Sequence, residues 1–517
     1  MTHSPKSLTR LLVVFLSGAS LAALSIAAPA LAQTLSGAQT VTQTFSAADL
    51  NVATDATFSV TTLTGDGINL TSTNSLIFTD NYQSVINGAE RGIYALNNGT
   101  GALSIASTGT ATGTGEDGIY ANNGSKGTNL TLTSNNATGG NYGIHAINSG
   151  TGALSIASTG TATATRYFGI YANNSSKGTN LTLTSNNVTG GSSGITAFNY
   201  GTGALSITST GTATGTGTGT GTNPDPDGIW AENYGTDLTV TANNVTGLRY
   251  GIVAQNVDTN RGTNLTVTAN NVTGSLYGIF AANYGTGALS ITSTGTVNAT
   301  EANSSGIYAF NTSTGTNLTV TANNVTGSLY GILAANYGTG ALSITSTGTA
   351  TGTGANSSGI YATNSSTGTN LTLTSNNATG GNYGIHAINS GTGALSIAST
   401  GTATATGATS RGIFANNSST GTDLTVTSNN VTGGSFGISA QNSGTGALSI
   451  ASTGTATGTG ANSSGIYATN SSTGTNLTLT SNNVTGSYYG IYAVCPSSEH
   501  LAQHLGWISG ASASSWG

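Results

Sequence analysis

The hexapeptide Gly-Ile-Tyr-Ala-Leu-Asn at residues 92–97 recurs in variant form along most of the chain. Further copies open at Gly118, Gly143, Gly169, Gly194, Gly228, Gly251, Gly278, Gly306, Gly331, Gly359, Gly384, Gly412, Gly437, Gly465 and Gly490, mostly 25 to 28 residues apart. A unit that short cannot bury an apolar face alone. Copies at fixed spacing must therefore stack, each using its neighbours to complete a core.

The unit from Gly118 shows what is stacked. Gly-Ile-Tyr-Ala reads as a short strand, and residues 122–127 as a turn. Asn129-Leu130-Thr131-Leu132-Thr133 then alternates polar and apolar at period two, and Asn135-Asn136 turns the chain again. No segment carries helical periodicity. The predicted fold is all-β, a right-handed parallel β-helix of about 16–17 rungs. A sandwich or barrel of short strands would not require such regular identity. Ile119, Ala121, Leu130 and Leu132 should point inward, with a small residue near position 137 (Val188, Val245 and Val272 in later units). At about 4.8 Å per rung, sixteen copies span roughly 75 Å. The Asn-Asn pairs at the corner are expected to form amide ladders from rung to rung.

Two kinds of unit alternate, one with Leu-Thr-Leu-Thr or Leu-Thr-Val-Thr (from Leu130, Leu181, Leu318), the other with Ala-Leu-Ser-Ile (from Ala102, Ala153, Ala204). The alternation slips at Leu238 and Leu265, where two Thr-type units follow one another. Asn129–Thr165 reappears letter for letter as Asn370–Thr406, the mark of a duplication. The spacing of 34 residues from Gly194 to Gly228, with its Thr-Gly run and Asn223-Pro224-Asp225-Pro226-Asp227, reads as a loop bulging from the rod.

Composition narrows the function classes. Charged residues are 5% of 517, against roughly a quarter in ordinary soluble domains. Like charges would otherwise stack directly over each other. Nine Lys and Arg with no basic run argue against nucleic acid as a partner. Residues 1–32 read as a cleavable secretory signal: Lys6 and Arg10, an apolar Leu11–Ala28, then Ala30-Leu31-Ala32. An exported chain with one cysteine, Cys495, must be stabilised by stacking and not by disulfides. Residues 33–91 read as an N-terminal cap, in which Thr40–Phe45 covers the open end, plus a degenerate first rung at Gly67. Residues 92–494 are the repeat β-helix. Residues 495–517 are an atypical tail, either a short cap or a truncated end.

Charge-poor, cysteine-free rungs such as Gly-Thr-Asn-Leu-Thr-Leu-Thr-Ser-Asn-Asn-Val-Thr-Gly, behind a signal, resemble the passenger region of bacterial autotransporter proteins over residues 33–494. The resemblance implies export to the cell surface or outer membrane, and roles in adhesion or biofilm contact. It also implies an outer-membrane β-barrel translocator as a partner, which the 23 residues after Val494 do not supply.

Chemistry is not expected: no catalytic residue, cofactor or metal site is assigned. His145 and His386 occupy a position where other units carry Tyr, Phe, Trp, Thr, Ser, Val or Leu. The acid pairs Glu116-Asp117 and Asp225/Asp227 read as solvated turn residues, although paired carboxylates on a β-helix would also suit a polysaccharide-active enzyme. Cys495, Glu499, His500 and His504 match no ligand spacing. What the repeat offers is surface. If Ile93 points in, the next residue points out, so Tyr94, Tyr120, Tyr171, Trp230, Phe280, Tyr308, Tyr361, Phe414, Tyr467 and Tyr492 form a broken aromatic stripe. Such rings either stack on sugars and apolar patches or stabilise the sheet across strands. The Thr131/Thr133 array suggests ice binding, weakened by Ser104/Ala106 and Ser206/Thr208 in alternate units. The leading expectation is a non-enzymatic surface rod. It would adhere to host-surface or matrix glycans or proteins, or to itself. The alternatives are a glycan-active enzyme and a structural spacer.

Overall fold

The computed structural model of the chain describes residues 32–217, 226–495 and the strand Leu501–Ser509; all but the last residue of the expected leader at 1–32, and Asp225, Glu499 and His500, lie outside the described residues. Each rung carries a long strand, such as Leu130–Gly139, and a short one, such as Tyr142–Asn148. Each strand pairs in parallel with its counterpart in the next rung. Ile119 lies beside Ile144, Ile144 beside Ile170, Leu130 beside Leu154 and Leu154 beside Leu181. The result is an all-parallel β-solenoid of about 17 turns, with no helix among the described residues.

Period-two alternation determines the interior. Ile119, Ala121, Leu130, Leu132 and Ala137 are all 0% exposed, and Val188, Val245 and Val272 repeat the last position. The column is narrow because the walls come close. At Gly143, a Cβ would lie 2.6 Å from the carbonyl oxygen of Gly169 and 2.7 Å from the amide nitrogen of Thr163. The glycine that opens each motif is there for that approach. Any side chain would push the short strand off both neighbours.

The two kinds of unit differ by one residue in the long strand. Leu130–Gly139 has 10 residues and Leu154–Ala164 has 11, so the pairing shifts register between Ser134 and Ala137. Where two Thr-type rungs adjoin, Leu238 to Thr246 run against Leu265 to Thr273 with no shift.

That mismatch corrects the expected position of the amide ladder. Opposite Asn135-Asn136 the next rung places Thr159-Gly160-Thr161, and the Asn136 side-chain oxygen accepts from the Thr161 amide (3.1 Å) and hydroxyl (3.0 Å) instead. Among the described residues, corner asparagines bond to each other only at the slip, Asn270 to Asn243 and Asn271 to Asn244. The long ladder runs inside the corner that closes the short strand, through the Asn that ends each motif. From Asn97 to Asn470, each Nδ2 donates to the Oδ1 of the next rung at 2.8 to 3.4 Å. These side chains are buried. A second Nδ2 hydrogen goes to a loop carbonyl, such as Gly152 for Asn148.

A second internal column is less satisfied. The hydroxyls of Ser134, Ser158, Ser185, Ser209, Ser346 and Ser375 lie in the interior without a protein partner, and Ala242, Ala269 and Ala322 occupy the same column. A buried hydroxyl without a partner costs about 1–3 kcal/mol before water relieves it. Ser185→Ala is therefore expected to leave denaturant stability unchanged or raise it by up to ~1 kcal/mol; a clear loss in urea unfolding would show a hidden bond at that hydroxyl.

Stacking begins before the motif does. Gln33–Leu35 pairs with Val52–Thr54, and Gln43–Thr54 lies against Ile68–Asp80. Among the described residues, Gln43–Phe45 pairs only with Ile68–Leu70 and has no strand on its other side, and Phe45 packs half-buried against the core, so this stretch lies at the start of the stack as a cover of its open end would. Gly67 opens a later turn of a stack already under way. Ile68–Asp80 is one 13-residue strand that meets both Ile93–Asn97 and Leu103–Ser107, because it lacks the Asn-Gly loop of later units. Asp80 stands in its serine column. Burial raises its pKa, but hydrogen bonds from Thr54, Ser84 and the amides of Tyr82 and Ser84 outweigh this and hold it below the ordinary carboxylate range.

The 34-residue spacing leaves the stack intact, since Ile195 pairs with Ile229 and Ala213 with Val245 across it. At the other end, Thr469 pairs with Val494, which sets buried Cys495 opposite Asn470. Leu501–Ser509 then lies parallel to Leu477–Thr485. Part of the expected atypical tail thus continues the stack.

Candidate functional site: a half-buried aromatic face

In the short strand Ile points inward, so the next side chain points out. Tyr94, Tyr120, Tyr171, Trp230, Phe280, Tyr308, Tyr361, Phe414, Tyr467 and Tyr492 all occupy this column, each half-buried. Several meet as rings: Tyr94 stacks on Tyr120 at 5.2 Å, Phe280 on Tyr308 at 5.3 Å and Tyr467 on Tyr492 at 5.2 Å. His145 stands edge-on between Tyr120 and Tyr171, and His386 between Tyr361 and Phe414. The column is interrupted at Thr196, Val253, Leu333 and Ser439.

A second aromatic column was not read from the sequence. Tyr142, Tyr250, Tyr277, Tyr330, Tyr383 and Phe436 precede the motif glycine, where strict alternation would turn them inward with Ile144 and its equivalents. Each is the first residue of its short strand, directly after the corner, and its ring lies half-buried on the outer face instead. Tyr142 lies 4.3 Å from His145, and Tyr277 5.4 Å from Tyr308. The signal was present, as an aromatic residue before Gly in about every second copy. Burial and nearby Asp117 push the Tyr142 hydroxyl up to about 12, so it remains a neutral donor across the physiological range.

The charges around Arg91 are paired. Arg91 lies over Tyr94 and Tyr120 at 5.1 and 5.5 Å. It also forms ion pairs with Asp66 at 3.5 Å and with Glu116. Asp117 lies 4.0 Å from Arg91 and 3.3 Å from His145 Nδ1. The sequence reading of Asp117 and Asp227 as solvated turn acids is therefore corrected. Both are buried, and Asp227 accepts the Tyr250 amide at 3.2 Å. Rung stacking brings Asp117 under Arg91 and His145, a proximity invisible in a linear reading. Among the described residues, no three His, Cys, Asp or Glu side chains converge as a metal site would need.

His145 and His386 lie in identical local sequence yet differ in surroundings. Tyr142 pairs with Asp117, whereas Tyr383 pairs with Ser358 on one side and Arg411 on the other. Burial, reinforced by Arg411, pulls His386 down to about 4 from the ordinary 6.5. The unfolded chain then takes up a proton that the folded chain refuses. Its contribution to stability is complete above about pH 6.5 and declines as pH falls toward 4. His386→Phe is expected to flatten the fall in thermal midpoint between pH 6.5 and 4.5; an unaltered profile would place the titration elsewhere.

The Thr array lies on the outer face of the long strands, with Thr131, Thr133, Thr182 and Thr184 exposed and Ser155/Ala157 between them. A shallow depression of about 370 Å³ at its end is lined by Ala157, Ser158, Thr159, Thr184, Ser185 and Thr210, without a charged group. No protein-family model, curated protein or solved structure matches this chain.

Proposed function

We propose that the chain is a non-enzymatic, exported surface rod, an autotransporter-like passenger that adheres to glycans or proteins through its aromatic face. The observation that carries this reading is the outward column of half-exposed rings repeated along a solenoid of about 17 turns. Many weak ring contacts made together on a stiff scaffold gain avidity without any single strong site. The β-solenoid is compatible with a passenger of this kind, and a charge-poor surface suits close approach to another surface.

The test is attachment. The five-fold variant Tyr120→Thr, Tyr171→Thr, Tyr308→Thr, Tyr361→Thr and Tyr467→Thr uses a residue the column already accepts at Thr196. Retention of the purified full chain on glycan- or matrix-protein-coated surfaces should fall at least tenfold. Circular dichroism below the thermal midpoint verifies that the solenoid persists. Undiminished attachment by the folded variant would reduce the rings to sheet stabilisers and the rod to a spacer.

A further inference from the structure

The interruptions in the aromatic column are places where a ring is missing between two others. At Val253 the neighbours are Trp230 in one direction and Phe280 in the other. These wall residues are two rungs apart, about 9.5 Å at ordinary strand spacing. A pyranose ring held between two aromatic planes needs contacts of about 4–5 Å on each side, which this interval supplies. A flat heteroaromatic ring would fit loosely.

The recess is present in the structure. It has a volume of about 100 Å³, with Val253 at its floor, Trp230 and Phe280 at its ends, and Tyr250 and Gln255 along its sides. Polar groups stand at the rim. The Trp230 indole N–H donates to Glu232 Oε1 at 2.8 Å, and Glu232 pairs in register with Gln255. A carboxylate and an amide on adjacent rungs beside an aromatic clamp suit vicinal hydroxyls. The Tyr234 hydroxyl also reaches Glu232 Oε2 at 3.4 Å, which fixes the carboxylate's orientation.

We propose that the Trp230–Val253–Phe280 slot is a carbohydrate subsite that clamps one neutral pyranose ring, with Glu232 and Gln255 holding its hydroxyls. The inference rests on the adhesive reading of the same face and assigns its ligand class at one rung.

The chain has three tryptophans, so Trp507→Phe with Trp516→Phe leaves Trp230 as the sole indole reporter. Titration of this full-length chain with cellohexaose, maltohexaose and the hexamer of N-acetylglucosamine should give a saturable change in Trp230 emission with at least one of them. Val253→Phe places a ring where most rungs already have one. It should weaken that binding at least tenfold while leaving the thermal midpoint unchanged or higher. Phe280→Ser, which puts into the column the residue found at Ser439, removes one wall and should also weaken binding about tenfold. It serves if Val253→Phe does not fold. No saturable change with any of the three sugars would overturn the subsite, as would Val253→Phe binding as tightly as the parent. The attachment assay with the Tyr→Thr variant judges the adhesive reading separately. Sugar binding lost in Val253→Phe with surface attachment retained would keep the subsite and assign attachment to other parts of the rod.

Discussion

Asn148→Leu is expected to destabilise its neighbourhood by about 4 kcal/mol and to open it locally. The Asn148 amide accepts from Asn123 at 2.9 Å and from the Gly150 amide at 3.3 Å, and donates to Asn174 at 2.9 Å and to the Gly152 carbonyl at 3.0 Å. Leucine removes all four bonds and leaves buried partners on both adjacent rungs. At about 1–3 kcal/mol per stranded group, with some relieved by entering water, the sum is near 4 kcal/mol. A solenoid couples each rung mainly to its neighbours, so the damage should remain close. Hydrogen exchange should accelerate over residues 118–174 and stay unchanged beyond Gly251. Asn135→Ala removes a corner asparagine with one bond, 3.2 Å to the Thr108 carbonyl, and should cost under about 1 kcal/mol. Equal effects of the two substitutions would contradict the internal ladder as the stabilising one.

Gly331→Ala is expected to cost about 3 kcal/mol or more for a different reason. Its new methyl would lie 2.5 Å from the Gly359 carbonyl oxygen, 2.7 Å from the Thr351 amide nitrogen and 3.1 Å from the Ala350 carbonyl carbon. All three are backbone atoms of paired strands, so none can rotate away, and overpacking of this kind costs 1–3 kcal/mol even among adaptable side chains. Gly407→Ala meets a single close carbonyl at 2.8 Å, with its next neighbour at 3.6 Å, and lies in a turn that can yield. Limited proteolysis should therefore cut the Gly331 variant near rungs 306–359 and spare the Gly407 variant. A Gly331 variant as resistant as the parent would mean the short strand moves more freely than its pairing implies.

What the sequence made legible was whatever repeats in register. The period gave the stacking, and alternation within Asn129–Thr133 put Leu130 and Leu132 inside, as found. The same rule placed Tyr94 and its equivalents outside. Legibility failed where two units of unlike length face each other. The Asn135-Asn136 pair looked like a ladder when each unit was compared with itself, but stacking sets a Thr-type unit against a Ser-type one. The Asn that does form the ladder ends every motif from Asn97 to Asn470 and was passed over as a turn residue. Tyr142 and Tyr277 were missed because, as the first residues of their strands after the corner, they do not follow the parity that located Tyr120. The turns before Gly67, from Gln33, carry no Gly-Ile signature, and the rung that Gly67 opens is degenerate because Ile68–Asp80 crosses the corner without the loop that spaces later motifs. Arg91 with Asp66, Glu116 and Asp117 is legible only once the rungs are superposed.

The amide row has one more consequence. Every link runs the same way, Nδ2 toward the higher residue number and Oδ1 toward the lower. The two ends of this row are thus chemically unlike: one presents carbonyl lone pairs, the other N–H groups. Ser72 meets the first with a hydroxyl that donates 2.7 Å to Asn97, whereas Asn470 turns its amide to the Asn476 carbonyl at 3.1 Å. A residue that closes one end of the row has the wrong polarity to close the other.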